Sequence, residues 1–147
     1  MKKTLFFVFG LTLITPVFLW MFLGHVLYKN TTHDYAINSD DGRFIAYISH
    51  VEPFNLIGLY CQLSTDTPAF VSLYDTRGRY LGQSSPFACI SSYEITNILF
   101  PGDGKLTNEG PSPEDSVFGA AMGDHEEEME IDIKNKRWWS IILTPFS

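Results

Sequence analysis

The run His125-Glu126-Glu127-Glu128-Met129 is the densest group of potential ligands and acids in the chain. A zinc helix of the H-E-x-x-H type needs a second imidazole at its fifth position, so that both rings face one metal. Met129 stands there, and the pattern therefore lacks that chemistry. The same carboxylates could offer oxygens to a hard cation. Calcium loops, however, use regularly spaced ligands and a glycine for the sharp turn, and the run has neither. There is no G-x-S-x-G nucleophile elbow. Carboxylates are abundant, but a glycosidase needs two at a set separation, which spacing along the chain does not supply. His25, His33 and His50 are isolated from one another and from a nucleophile. No catalytic residue, metal ligand or cofactor site is therefore assigned.

Recognition is what the remaining residues can do. Glu128, Glu130 and Asp132 alternate with Met129, Ile131 and Ile133, so on a strand the acids share one face. Glu126, Glu127, Glu128 and Glu130 are candidate partner-binding residues, against the plainer reading of a solvated acidic edge. Trp138 and Trp139 are candidates for an aromatic anchor, against the plainer reading that both rings are core. On a strand their side chains point to opposite faces, which leaves one of them near the surface.

Cys61 and Cys89 are the only cysteines. An even count in an oxidising compartment favours one bridge; two buried free thiols are the alternative. The chain carries a net charge of −7, and beyond residue 28 it has eight basic and seventeen acidic residues. Between Glu94 and Asp132 there are eleven acids and one base, Lys105. Such a field repels nucleic acid, so no nucleic-acid partner is expected, and it favours a basic protein.

These residues must be positioned by something outside the cytoplasm. From Leu5 to Leu27 there is no Asp, Glu, Lys or Arg, enough apolar helix to cross a hydrocarbon core of about 30 Å. Phe22-Leu23-Gly24-His25 lacks a small-x-small cleavage site. Residues 1–28 therefore read as an uncleaved signal-anchor, embedded in lipid through residues 5–28. Lys2, Lys3 and the amino terminus lie on one side, and Lys29 and then Asp34, Asp40 and Asp41 on the other. The positive-inside rule then puts the N-terminus in the cytoplasm and the domain in the periplasm of a bacterial inner membrane.

Residues 29–41 read as a linker and 42–147 as a small, mainly β domain, an antiparallel sheet or sandwich. Ser39-Asp40-Asp41-Gly42 is a turn signal, opening a strand over Arg43–Val51. Ala69–Asp75 and Arg79–Ser84 flank Thr76-Arg77-Gly78 as a hairpin. Tyr93–Phe100 suggests a further strand, and Pro101–Ser116 a long loop. Glu126–Ile133 and Trp138–Leu143 suggest a second hairpin about Lys134-Asn135-Lys136. Leu56–Cys61 reads as strand or loop.

Two signatures, S-x-D-G-x-(aromatic) at Ser39–Phe44 and L-Y-D-x-x-G-x-x-L-G-x-S at Leu73–Ser84, resemble those of a family of small enterobacterial membrane-anchored proteins of unknown function. That family is similar in setting and size to immunity proteins kept beside secretion-system toxins. The resemblance implies a membrane-anchored periplasmic binding protein that neutralises a toxin, and it brings no catalytic residues. A structural or accessory envelope protein is the alternative, and an envelope enzyme of unrecognised type a third reading.

Overall fold

The computed structural model describes residues 2–27, 35–103, 116–122 and 125–147. Among the described residues, eight strands and three helices follow in the order α1 (Lys2–Leu27), β1 (Tyr35–Asn38), β2 (Phe44–His50), α2 (Leu56–Ser64), β3 (Pro68–Asp75), β4 (Tyr80–Gln83), β5 (Ile90–Ser91), β6 (Ile95–Leu99), β7 (Val117–Met122), β8 (His125–Asp132) and α3 (Trp138–Leu143), with a final 3-10 turn at Thr144–Phe146. Described strand pairings are all antiparallel. One sheet runs β1-β2-β3-β4 with β5 also on β3, and the second runs β6-β7-β8.

The two sequence signatures are turn chemistry. Ser39 Oγ accepts from the backbone N–H groups of Arg43 (3.1 Å) and Phe44 (2.9 Å) and donates to Asp41 Oδ1 (2.7 Å). Gly42 sits at φ +67°, where a Cβ would be strained. In the second signature Asp75 Oδ1 accepts from the N–H groups of Arg77 (3.0 Å) and Arg79 (2.8 Å), and Oδ2 takes the Arg79 guanidinium at 2.6 Å. The Arg79 backbone N–H foremost holds the Asp75 carboxyl below the usual range. Gly78 occupies φ +76°, and Ser84 Oγ accepts from the N–H of Val71 at 3.1 Å on the neighbouring strand. Both expected turns are present.

Burial follows the strand period of two. Ala46, Ile48, Ala69, Val71 and Leu73 of the first sheet meet Phe118, Ala120, Met129 and Ile131 of the second in one core. The opposite face of the first sheet presents Phe70 and Tyr80 to a second cluster, closed by Leu23 and Val26 of α1, Cys61 of α2 and Leu143 of α3. β3 is therefore covered on both faces, which explains its near-continuous apolar run.

Several elements differ from the sequence reading. Tyr35–Asn38, within the stretch read as linker, pairs with β2 as an edge strand; residues 28–34 lie outside the described set. Leu56–Ser64 is a helix, capped by Asn55 Oδ1, which accepts from the N–H of Gly58 at 2.8 Å. The expected hairpin between Glu126–Ile133 and Trp138–Leu143 does not form. β8 pairs with β7 instead, and Trp138–Leu143 is a short helix whose Ser140 and Leu143, three residues apart, face inward. β7 itself, Val-Phe-Gly-Ala-Ala-Met, is too poor in β-branched residues to be read as a strand. It forms because Phe118 and Ala120 fill the core opposite the first sheet.

The α1 backbone is helical over 26 residues. Among the described residues no helix is long and apolar enough to cross a membrane; the side chains of residues 2–11, and of Leu13 and Leu27, are outside that set.

Candidate functional site

A cleft of about 260 Å³ opens between β8, α3 and the loop that joins β4 to β5, lined by Ser85, Ala88, Ile90, Met129, Glu130, Arg137 and Trp139. Two of the sequence candidates, Glu130 and Trp139, thus share one wall system. The strand alternation puts Met129 and Ile131 inward and leaves Glu130 exposed, as its face assignment requires. Trp138, on the first turn of α3, lies beside the cleft and is 51% exposed. Its ring centroid is 5.7 Å from that of Trp139 and 6.0 Å from that of Phe87. The three rings make an aromatic shelf, with Trp138 and Phe87 exposed and Trp139 partly buried. Trp138 and Trp139 stand on a helix, not on the strand that was expected to send them to opposite faces; Trp138 is exposed and Trp139 partly buried. Glu126, Glu127 and Glu128 are on the β8 backbone, but their side chains lie outside the described residues, as does most of the Pro101–Ser116 segment.

The cleft is held by contacts that are far apart in sequence. Gln83 N donates to Ser140 Oγ (3.2 Å), and Trp139 Nε1 donates to the Gln83 carbonyl (3.3 Å), which fastens α3 to β4. Gly82 leaves no room for a Cβ, which would stand 2.7 Å from Ile131 Cγ2. On the other side, the β4–β5 loop is pinned twice. Cys89 forms the expected disulfide with Cys61 of α2, at a Cα–Cα distance of 5.0 Å. His25 Nε2 donates to the Pro86 carbonyl at 2.8 Å. The assignment follows from the partners: a carbonyl only accepts, so Nε2 carries the proton and Nδ1 accepts from Asn55 Nδ2 at 3.0 Å. Asn55 Nδ2 also donates to the Trp20 carbonyl at 3.1 Å. The end of α1 is thereby tied to the loop that forms the cleft wall.

His50, on β2, has a plain role. His50 Nε2 accepts from Gln62 Nε2 at 2.9 Å, and the same amide donates to the Val51 carbonyl at 2.6 Å. Asp132 does not project as a free acid with Glu130. It accepts from Lys134 N (2.8 Å), Asn135 N (2.9 Å) and Ser116 Oγ (3.1 Å), which organises the turn after β8. Among the described residues no cluster of three or more His, Cys, Asp or Glu is arranged to hold a metal ion.

A profile of a family of unknown function matches residues 2–143, nearly the whole chain. The chain belongs to DUF6201. No curated protein and no solved structure matches it. In this DUF6201 member the signature residues Ser39, Asp41, Asp75, Gly78 and Ser84 all serve backbone turns and strand pairing. The candidate binding surface is built from other residues. Phe87 and Arg137 were not singled out from sequence. Neither belongs to a motif, and their role arises only because the loop and α3 converge. The one local signal near Phe87 was Cys89, whose bridge fixes that loop in place.

Proposed function

We propose that this chain is a membrane-anchored periplasmic binding protein of the immunity type, which captures a protein toxin on the shelf formed by Phe87, Trp138 and Trp139 and the adjoining cleft. The observation that carries the reading is the half-exposed Trp138, edge-on to Trp139 and tilted against Phe87, beside a cleft that holds Glu130 and Arg137. A rigid aromatic shelf with a polar rim is the surface composition on which protein binding energy concentrates. A structural or accessory envelope role is the second reading, and co-purification with an envelope complex rather than with a toxin would favour it.

The test is the product of the neighbouring gene. Trp138→Ala is expected to weaken its binding by about 30-fold, the equivalent of roughly 2 kcal/mol for a hot-spot residue. The thermal midpoint should stay near that of the wild type, because the ring is half in solvent. Cells expressing the variant should lose protection in parallel. Undiminished affinity would remove the shelf from the binding site.

The acidic segment acts on encounter rather than on residence. Replacing Glu126, Glu127, Glu128 and Glu130 by Gln should slow association with a basic partner and leave dissociation nearly unchanged. Raising salt should slow the wild type in the same way, since exposed charges are screened within roughly 8–10 Å. Unchanged association kinetics in the quadruple variant would mean that these acids serve solubility alone.

The placement rests on the uncharged run from Leu5 to Leu27 and on Lys2 and Lys3 before it. The Cys61–Cys89 bridge agrees with an oxidising compartment. An alkaline phosphatase fused after Ser147 should be active, and a reporter that folds only in the cytoplasm should be silent there. The reverse pattern would invert the topology.

A further inference from the structure

α2 is apolar on the face that the described residues leave uncovered. Its inward residues Gly58 and Cys61 are buried against the end of α1 and the disulfide loop. Its outward residues Leu56, Leu59, Tyr60 and Leu63 recur at helical spacing and are 64%, 47%, 64% and 80% exposed. Phe54, just before the cap, extends the stripe. Scattered exposed leucines are ordinary, but a contiguous stripe along one helix marks a surface that meets something apolar. The helix Leu56–Ser64 carries no charged residue at all.

The position of α2 says what that partner is. Asn55, between exposed Phe54 and exposed Leu56, donates through Nδ2 to the main-chain carbonyl of Trp20, itself exposed on α1. Gly58 approaches α1 so closely that a Cβ would lie 3.0 Å from His25 Cβ. The first turn of α2 is therefore locked at the level of Trp20–His25. Ile14, Val17 and Phe18 are exposed on α1 just below that level, whereas Leu23, Gly24, His25 and Val26 are buried by the domain. If α1 enters the hydrocarbon at Leu5, Trp20 lies roughly 22 Å along the helix at 1.5 Å per residue, short of a core of about 30 Å. A side chain stripe at that depth meets the outer acyl and headgroup boundary.

We propose that α2 is an interfacial helix whose Leu56, Leu59, Tyr60 and Leu63 stripe lies in the outer leaflet of the membrane that α1 spans. The domain then rests flush on the bilayer instead of swinging on a linker, and α2 contributes buried apolar area parallel to the surface. Tyr60, with its hydroxyl, and Trp20 suit the belt position between acyl chains and headgroups. The occupant is lipid because the stripe adjoins the exposed apolar surface of the anchor itself. This inference rests on the anchor reading of α1, and its test separates the two.

The full-length chain, with its native disulfide intact, is reconstituted in phosphatidylethanolamine–phosphatidylglycerol vesicles with and without doxyl-labelled lipid. A single added cysteine carries an environment-sensitive fluorophore at Leu63→Cys, at Phe18→Cys as the anchor control, or at Thr76→Cys in the exposed β3–β4 turn. Labels at 18 and 63 should each lose roughly half their emission to the quencher lipid, and the label at 76 should lose almost none. Leu59→Cys should repeat the result at 63 on a second exposed position. Quenching at 18 without quenching at 63 or 59 overturns the interfacial helix and leaves the anchor standing. No quenching at 18 overturns the anchor and the proposal together. A blue-shifted label at 63 that lipid does not quench means that a protein surface covers the stripe, and overturns the assignment to lipid.

Discussion

Breaking the Cys61–Cys89 bridge should cost about 3–4 kcal/mol, from the chain entropy released when a loop of this length is opened. The two cysteines are 28 residues apart, and Cys61 is almost fully buried beside Leu23, Val26 and Phe70. Cys61→Ser and Cys89→Ser should lower the urea midpoint of the detergent-solubilised chain by similar amounts. The double variant should lose little more than either single, since both remove one bridge. The loss should also reach the cleft. With the bridge gone, the β4–β5 loop keeps the His25 bond to Pro86 and the 3.2 Å bond from Thr65 Oγ1 to the Cys89 carbonyl. Those leave Ser85, Phe87 and Ala88 less well placed to form the wall and shelf. Partner affinity should therefore fall even where the variant remains folded. Ready maleimide labelling of the unreduced wild type, or equal midpoints for wild type and double variant, would show that the bridge does not hold this loop.

Gly58→Ala should destabilise the chain by about 2–3 kcal/mol, although Ala is the better helix former by about 1 kcal/mol in an ordinary helix. The reversal has a structural cause. A Cβ on residue 58 would clash with the Glu52 carbonyl oxygen and lie 3.0 Å from His25 Cβ. The first contact is with backbone, so the chain before α2 must move. That movement pulls Asn55 away from its bonds to Gly58 N, His25 and the Trp20 carbonyl. A thermal or denaturant midpoint reads the effect. Combining the change with His25→Ala should recover little, because the clash with Glu52 remains. A stabilised Gly58→Ala variant would mean that α2 and α1 do not approach this closely.

Both predictions concern the seam where α1, α2 and the β4–β5 loop meet, and the seam joins the proposed anchor to the proposed binding surface. His25 and Cys89 reach the same loop from different elements. The domain is thus coupled to the end of α1 through side chains, and the stretch read as linker includes a strand, β1, paired with β2.

What the sequence determined by itself is local. A glycine at positive φ and an aspartate or serine that bonds backbone two to five residues on make a turn wherever they occur, so the turns at Ser39–Phe44 and Asp75–Arg79 were legible. The β3–β4 hairpin followed from its turn, and the alternation of Met129, Glu130 and Ile131 was legible because strand burial has a period of two. The even cysteine count favoured a Cys61–Cys89 bridge over two free thiols, and the disulfide is present. The tertiary structure decided what depends on which surface is left to cover. Trp138–Leu143 has the apolar, aromatic composition of a strand, yet β8 pairs with β7 and the segment is a helix. The segment instead brings Ser140 to the outer edge of β4, where its Oγ accepts from Gln83 N, and Leu143 into the cluster on the far face of the first sheet, and residues three apart point inward together on a helix. β7 has low intrinsic strand preference and forms because its Phe118 and Ala120 complete the core. The cleft brings together residues 85–90, 129–130 and 137–139, and no spacing along the chain encodes a meeting of three segments whose contacts are set by packing across two sheets.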